Sequence, residues 1–395
     1  MHTRTSGYRG ALRHPVAARL LTAQLVSELG SFVGLAALIL LAFDATHSSF
    51  GPALVLASRS LPALFVAGVL GRWLGRPPRR TSLMVANLTG AAAVAVCAIA
   101  PSTGTAVVSA ALLGATRAAF RSVQAAMIAE SIPSDLRLPL LGAAGVINQT
   151  AQWLGILVGA VVTLTIGVRT SLLLDIVSYL VAAAVLATIA VSPRQAGRVR
   201  SKPLDGVRLV ASHPVLRPLA ALVLASAFSG SLAEALAPAV ADAGWVPPSM
   251  AAASAGGAVF TLVVSRTDFL RTVANQVRTV MALGASLAAT GLLVMAHGPD
   301  WLYVLGNASV GAALGWVVGA QATVIDVTPV DRVGHVEATL VAGLITAGGT
   351  GVLLLGSIAR LAGPGAAYVT GAVVLTATLM TAGRRLTSST PAVPE

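Results

Sequence analysis

Apolar runs closed by glycine, proline or charged residues recur along the whole chain, at residues 20–43, 50–73, 81–100, 105–131, 139–165, 170–191, 215–240, 249–265, 279–297, 301–327, 336–360 and 364–382. A hydrocarbon core about 30 Å thick is crossed by roughly 20 residues of α-helix. The pattern therefore predicts an all-α membrane protein of about twelve transmembrane helices. Twelve spans with short connections account for all 395 residues and leave no room for a soluble domain.

Polar positions divide this series in two. The longest polar stretch, Ser192 to Ser212, carries Pro193, Arg194, Arg198, Arg200, Lys202, Pro203 and Arg208, and reads as a cytoplasmic linker, residues 192–212. It separates a six-helix half, residues 1–191, from a second six-helix half, residues 213–395. His14-Pro15-Val16 with Arg19 precedes the first span, and His213-Pro214-Val215 with Arg217 precedes the seventh, 199 residues later. A second echo pairs Gln124-Ala125, Ile128, Glu130, Pro133, Asp135 and Arg137 in and after span four with Gln321-Ala322, Ile325, Asp326, Pro329, Asp331 and Arg332 in and after span ten, at an offset of 195 to 197. Two matches at nearly one offset, each at the same step of a six-span unit, predict pseudo-symmetric halves in parallel orientation.

Composition agrees with this reading: 56% of residues are hydrophobic and 10% charged, with a mean hydropathy of +0.84. The formal charge of +12 does not indicate nucleic acid, because the basic residues punctuate apolar runs instead of clustering on one face. With both termini cytoplasmic, the inside holds Arg4, Arg9, Arg13 and Arg19, then Arg72, Arg76, Arg79, Arg80, Arg137, the linker arginines, Arg266, Arg271, Arg278, Arg332, Arg384 and Arg385. The outer loops hold only Arg169 and Arg360. That asymmetry is the positive-inside pattern of a bacterial inner-membrane protein. The run from Leu20 to Phe43 is too long for a secretory signal and counts as the first span.

Several chemistries are disfavoured. Cys97 is the sole cysteine, so neither a disulfide framework nor a thiolate metal site is expected. His2, His14, His47, His213, His297 and His335 fall in tails or near span ends, which argues against a metal and against an intramembrane enzyme. No glycine-rich loop ending in Lys-Ser or Lys-Thr is present, so ATP use and other cofactors are not expected.

The chain resembles the major facilitator superfamily, and within it the bacterial drug and siderophore exporter branch. The resemblance rests on Leu61-Pro62 leading to Gly68-Val69-Leu70-Gly71-Arg72-Trp73-Leu74-Gly75-Arg76 after span two, Arg117-Ala118-Ala119-Phe120 through Pro133 in span four, and Asp175-Ile176-Val177-Ser178-Tyr179 in span six. Asp205-Gly206-Val207-Arg208 through Pro214-Val215-Leu216-Arg217 completes it. It implies alternating access to a central cavity, a gating loop formed by Gly68, Gly71, Arg72, Gly75 and Arg76, a helix-tying role for Asp175, and a monomer. Two positions depart from the family pattern: Arg72 stands where an acidic latch residue is usual, and Ile156 follows Gly155 where proline marks antiporters. Gly155 and Gly159 keep the close helix packing of that segment.

An ion in mid-span costs about 2.5–3.5 kcal/mol on insertion scales, so each one needs a partner, water or a function. Gln24 and Glu28 share one face of span one, and Arg117, Arg121 and Gln124 form one stripe on span four. Span ten has Leu314 and Val318 where span four has the arginines. Desolvation favours a protonated carboxyl and a guanidinium favours an ionised one, so Glu28 is the expected proton-coupling residue and Arg117 its modulator. A permanent Glu28–Arg117 pin between helices is the plainer alternative. Arg121 either snorkels to the cytoplasmic interface or bonds inside.

Further cavity candidates are Asn148, Gln149, Gln152 and Trp153 in span five, Glu234 in span seven, and Asn307, Trp316 and Gln321 in span ten. Those of spans five and ten could equally serve helix–helix hydrogen bonding, and Glu234 could equally contact water at the outer mouth. Span eight, short and glycine-rich, preceded by Pro247-Pro248 and containing Gly256-Gly257, has the composition of a segment that either lines a binding site or bends as a gate. Together these features predict a secondary transporter, driven by protons, that exports a hydrophobic or amphipathic small molecule. A sensor derived from a transporter, or an importer, is the alternative.

Overall fold

The computed structural model describes residues 14–60, 78–132, 134–189, 205–264, 267, 269–328 and 332–389. The described residues form helices throughout: α1 Pro15–Thr46, α2 Phe50–Ser60, α3 Arg79–Ile99, α4 Thr103–Ser131, α5 Ser134–Thr165 and α6 Val168–Ala187, followed by a short α7 Asp205–Ser212. The remainder comprises α8 Leu216–Gly230, α9 Ala233–Val240, α10 Val246–Val264, α11 Val273–Met295, α12 Asp300–Leu314, α13 Val317–Val327, α14 Val333–Ala362 and α15 Pro364–Thr378. A π-turn then leads into α16 Arg384–Ser389. Among the described residues, nine segments are long and apolar enough to cross a membrane, counting α8 with α9 and α12 with α13 as single segments. The gating-loop residues Gly68, Gly71, Arg72, Gly75 and Arg76 lie outside the described residues.

The chain divides into two compact units, residues 1–46 with 58–198, and residues 47–57 with 199–395. In the first, α1 is the central helix and packs along α5 and α6, while α3 packs on α4 and α6. Leu20, Leu83, Leu140 and Leu186, from four different helices, are all fully buried in one cluster. Lipid tails are as apolar as leucine, so this packing draws its stability from shape fit more than from the hydrophobic effect. Gly159 is one source of that fit, since a Cβ there would come within 2.6 Å of the backbone of Val33 on α1.

In the second unit, α10 packs on α12, α11 on α12 and α15, and α8 on α14. Two spans that read as continuous in sequence are interrupted here. The hydroxyl of Ser231 donates to the Ala227 carbonyl at 2.5 Å, a back-bond that competes with the helix ladder, and the chain turns before α9 begins. Between α12 and α13, Gly315 N–H and Trp316 N–H bond three residues back, to Ala312 and Ala313, tightening the helix by one turn. Span eight, short and glycine-rich in sequence, is the continuous α10. Pro247 and Pro248 fall in its first turn, where proline does not disrupt the ladder.

The helix ends follow local chemistry. Ser102 and Thr105 form a reciprocal capping box at the start of α4. His213 accepts backbone N–H groups of Val215 and Leu216 through Nδ1 and so prepares the entry to α8. Gly167, at φ 109°, opens α6, and Gly363, at φ 89°, opens α15. The two glycines lie 363 − 167 = 196 residues apart, the offset of the sequence echo, and each adopts backbone angles that other L-residues rarely take.

Candidate functional site

Glu28 lies midway along α1 and is 7% exposed. Arg117 on α4 places Nη2 2.7 Å from its Oε2, and Arg121, one turn further on, lies 3.8 Å from its Oε1. Both arginines donate through Nη2 to Oδ1 of Asn148 on α5, at 2.7 and 2.6 Å. One carboxylate and one amide oxygen thus hold two like charges side by side. A turn before Glu28, Gln24 donates to the Ala144 carbonyl at 3.1 Å and accepts from Gln124 at 2.7 Å. The polar stripes of α1 and α4 meet because residues four apart share a helix face.

The cluster continues beyond Glu28. The Arg117 guanidinium lies 4.9 Å from the ring centroid of Phe32, and the Arg59 guanidinium lies 5.3 Å from it. Both distances suit cation–π attraction. Arg59 is buried and donates to the Ser31 carbonyl at 3.4 Å, and the Ser31 hydroxyl is hydrogen-bonded to that of Tyr179. Asp175, one turn from Tyr179 on α6, is fully buried, and neither carboxyl oxygen has a hydrogen-bond partner. It packs onto α1 at Gly34, where any side chain would collide with the carboxyl group.

Beside Glu28 and Arg117 lies a cavity of about 30 Å³, lined also by Ser27, Asn87, Thr116 and Tyr179. A water needs about 10–15 Å³ by this measure, so one or two waters fit here. Drug-sized ligands occupy roughly 300–1,000 Å³ and do not fit. The arrangement places room for water next to a buried carboxylate.

The remaining candidates fall in different places. Gln152 and Trp153 are half-buried on α5, and the Gln149 side chain lies outside the described residues. In the second unit, Glu234 stands in the first turn of α9 and accepts from Ser254 at 3.3 Å. Gln321 is exposed. Asn307 and Trp316, expected to line a cavity, are instead fully buried between helices. Asn307 accepts from the Tyr368 hydroxyl at 2.7 Å, and the Trp316 indole donates to Ser226 at 3.1 Å. Polar atoms in mid-span were the expected signal for a substrate site, but here the Asn307 amide oxygen and the Trp316 indole are bonded to neighbouring side chains. Asn148 also differs from expectation, because its amide oxygen is already taken by the two arginines.

Sequence reasoning missed Arg59, Phe32 and Asn87. Arg59 was accessible by the criterion that selected Arg117, being a charge well inside an apolar run. Phe32 carries no such signal, since an aromatic in a span is ordinary packing until two guanidiniums are found against it.

A family model described as Major Facilitator Superfamily matches residues 20–305. The chain belongs to the major facilitator superfamily. No curated protein matches the sequence. Among solved structures, this major facilitator chain is similar to a POT family transporter in complex with 5-aminolevulinic acid, at 11% identity and TM-score 0.74, covering 95% of this chain and 96% of that one. It is similar to a D-xylose-proton symporter at 14% identity and TM-score 0.73, covering 93% and 96%, and to a variant of the nucleoside transporter NupG at 11% and 0.73, covering 94% and 99%. At these identities the likeness shows the fold alone.

Proposed function

We propose that this major facilitator chain is a proton-coupled secondary transporter that exports a hydrophobic or amphipathic small molecule by alternating access, with Glu28 as the group that takes and releases the proton. The observation that carries this reading is the Glu28–Arg117 pair at 2.7 Å beside a cavity of about 30 Å³, sized for water. A proton arriving through water neutralises Glu28 and releases Arg117, which Asn148 then still holds. The pair thus changes state without leaving a guanidinium unbonded, unlike a simple two-residue pin. Export is the direction implied by the exporter-like motifs, including Arg117 through Pro133. The arginine distribution supports a bacterial inner-membrane location with cytoplasmic termini; the polar stretch 192–212 supports a linker between two halves, and the family resemblance supports a monomer.

The test is efflux of a panel of lipophilic dyes and antibiotics from cells expressing the protein or Glu28→Gln, with and without a protonophore. Efflux that the protonophore abolishes, and that Glu28→Gln lacks, is expected. Efflux in Glu28→Gln that stays protonophore-sensitive would remove Glu28 from the coupling role. Accumulation in place of efflux would reverse the direction.

A further inference from the structure

We infer that the transported molecule carries an anionic group, a carboxylate, sulfonate or phosphate, and that Arg121 receives it. The inference rests on the transporter reading but not on proton coupling. It starts from a charge inventory. Among the described mid-span residues of the first unit, three are cations, Arg59, Arg117 and Arg121, and two are anions, Glu28 and Asp175. One guanidinium is in excess. A buried surplus charge is costly unless it is compensated, and the least costly place for it is the position with most access to water or to a ligand.

The geometry identifies which guanidinium is the surplus. Arg59 is buried, and Arg117 is committed to Glu28 at 2.7 Å with a side chain 24% exposed. Arg121 stands 3.8 Å from the same carboxylate, and its side chain is 49% exposed. Its contacts to described residues all use Nη2, on Glu28 and on Asn148, which leaves the N–H groups of Nε and Nη1 for another acceptor. The neutral Asn148 holds the head at 2.6 Å without neutralising it, so Arg121 is bonded within the bundle and does not extend as a snorkelling residue would. A guanidinium held in place with free N–H donors matches the paired oxygens of a carboxylate, sulfonate or phosphate better than any other ligand chemistry.

The probes are three dansyl compounds with one aromatic body: dansylglycine (acid), dansylglycinamide (neutral) and dansylcadaverine (cation). Their binding to the purified full chain in nanodiscs is followed by dansyl fluorescence. The acid is expected to bind about tenfold more tightly than the amide, with the cation weakest. Arg121→Gln should remove that preference by weakening the acid about tenfold while leaving the amide unchanged, and Arg121→Lys should retain part of it. Equal or tighter binding of the amide or the cation, no saturable binding of the acid, or an acid preference surviving in Arg121→Gln would overturn the inference. Glu28→Gln should keep the acid preference, so failure of proton coupling and failure of the anion site give different results.

Discussion

The two units build comparable spans and hold them by different means. In the first, α1 and α4 run unbroken and carry Glu28, Arg117 and Arg121 on facing stripes. In the second, the corresponding segments are interrupted, α8 from α9 and α12 from α13, and the positions matching Arg117 and Arg121 hold Leu314 and Val318. Gln124 is buried and bonded to Gln24, while its counterpart Gln321 is exposed. The first unit therefore concentrates its polar energy in one charged network. The second distributes it over neutral bonds such as Tyr368 to Asn307 and Trp316 to Ser226, and its breaks create a new helix start at which the dipole favours the carboxylate of Glu234.

Removing one charge of the network tests this contrast most severely. Arg117→Leu leaves Glu28 buried without its closest cation and should destabilise the protein by roughly 3–5 kcal/mol. Glu28→Leu combined with Arg117→Leu should recover most of that loss, both read by thermal unfolding in detergent. Without such recovery, the pair would be serving packing and not electrostatics. Substitutions at the close helix contacts should not distinguish the units. Gly159→Ala, against Val33, and Gly311→Ala, against the backbone of Ala253, should each cost about 1–3 kcal/mol. A much smaller cost in either unit would show that its helices can separate without penalty. Trp316→Phe should lose about 1 kcal/mol with the Ser226 bond, and faster amide exchange should appear around residues 312–318 in the second unit alone. The smallest effect expected is for Ser102→Ala, about 0.5–1 kcal/mol from the loss of the α4 cap, visible as fraying of the first turn of α4 by hydrogen exchange.

Much of the site was legible as single residues and little of it as a network. Glu28 and Arg117 stood out because mid-span charges are rare, and their meeting followed from the stripes of two helices. Nothing in the spacing revealed that Asn148 holds both arginines, since an amide in a span reads the same whether it binds a substrate or a neighbour. For the same reason Asn307 and Trp316 were expected in a cavity and were found buried. Asp175 was expected to tie helices, and its carboxyl lies against Gly34 with no hydrogen bond at all.

The amino-acid sequence by itself determined the all-helical membrane architecture, because about 20 apolar residues between polar boundaries leave the backbone no other way to satisfy its hydrogen bonds in lipid. It also determined the internal echo and the scarcity of charge that singles out Glu28. Only the tertiary structure decided which polar groups are spent on each other, where the second unit's helices break, and that Arg121 has N–H donors left over. Those outcomes depend on distances between helices far apart in sequence, and periodicity along a single helix carries no information about them.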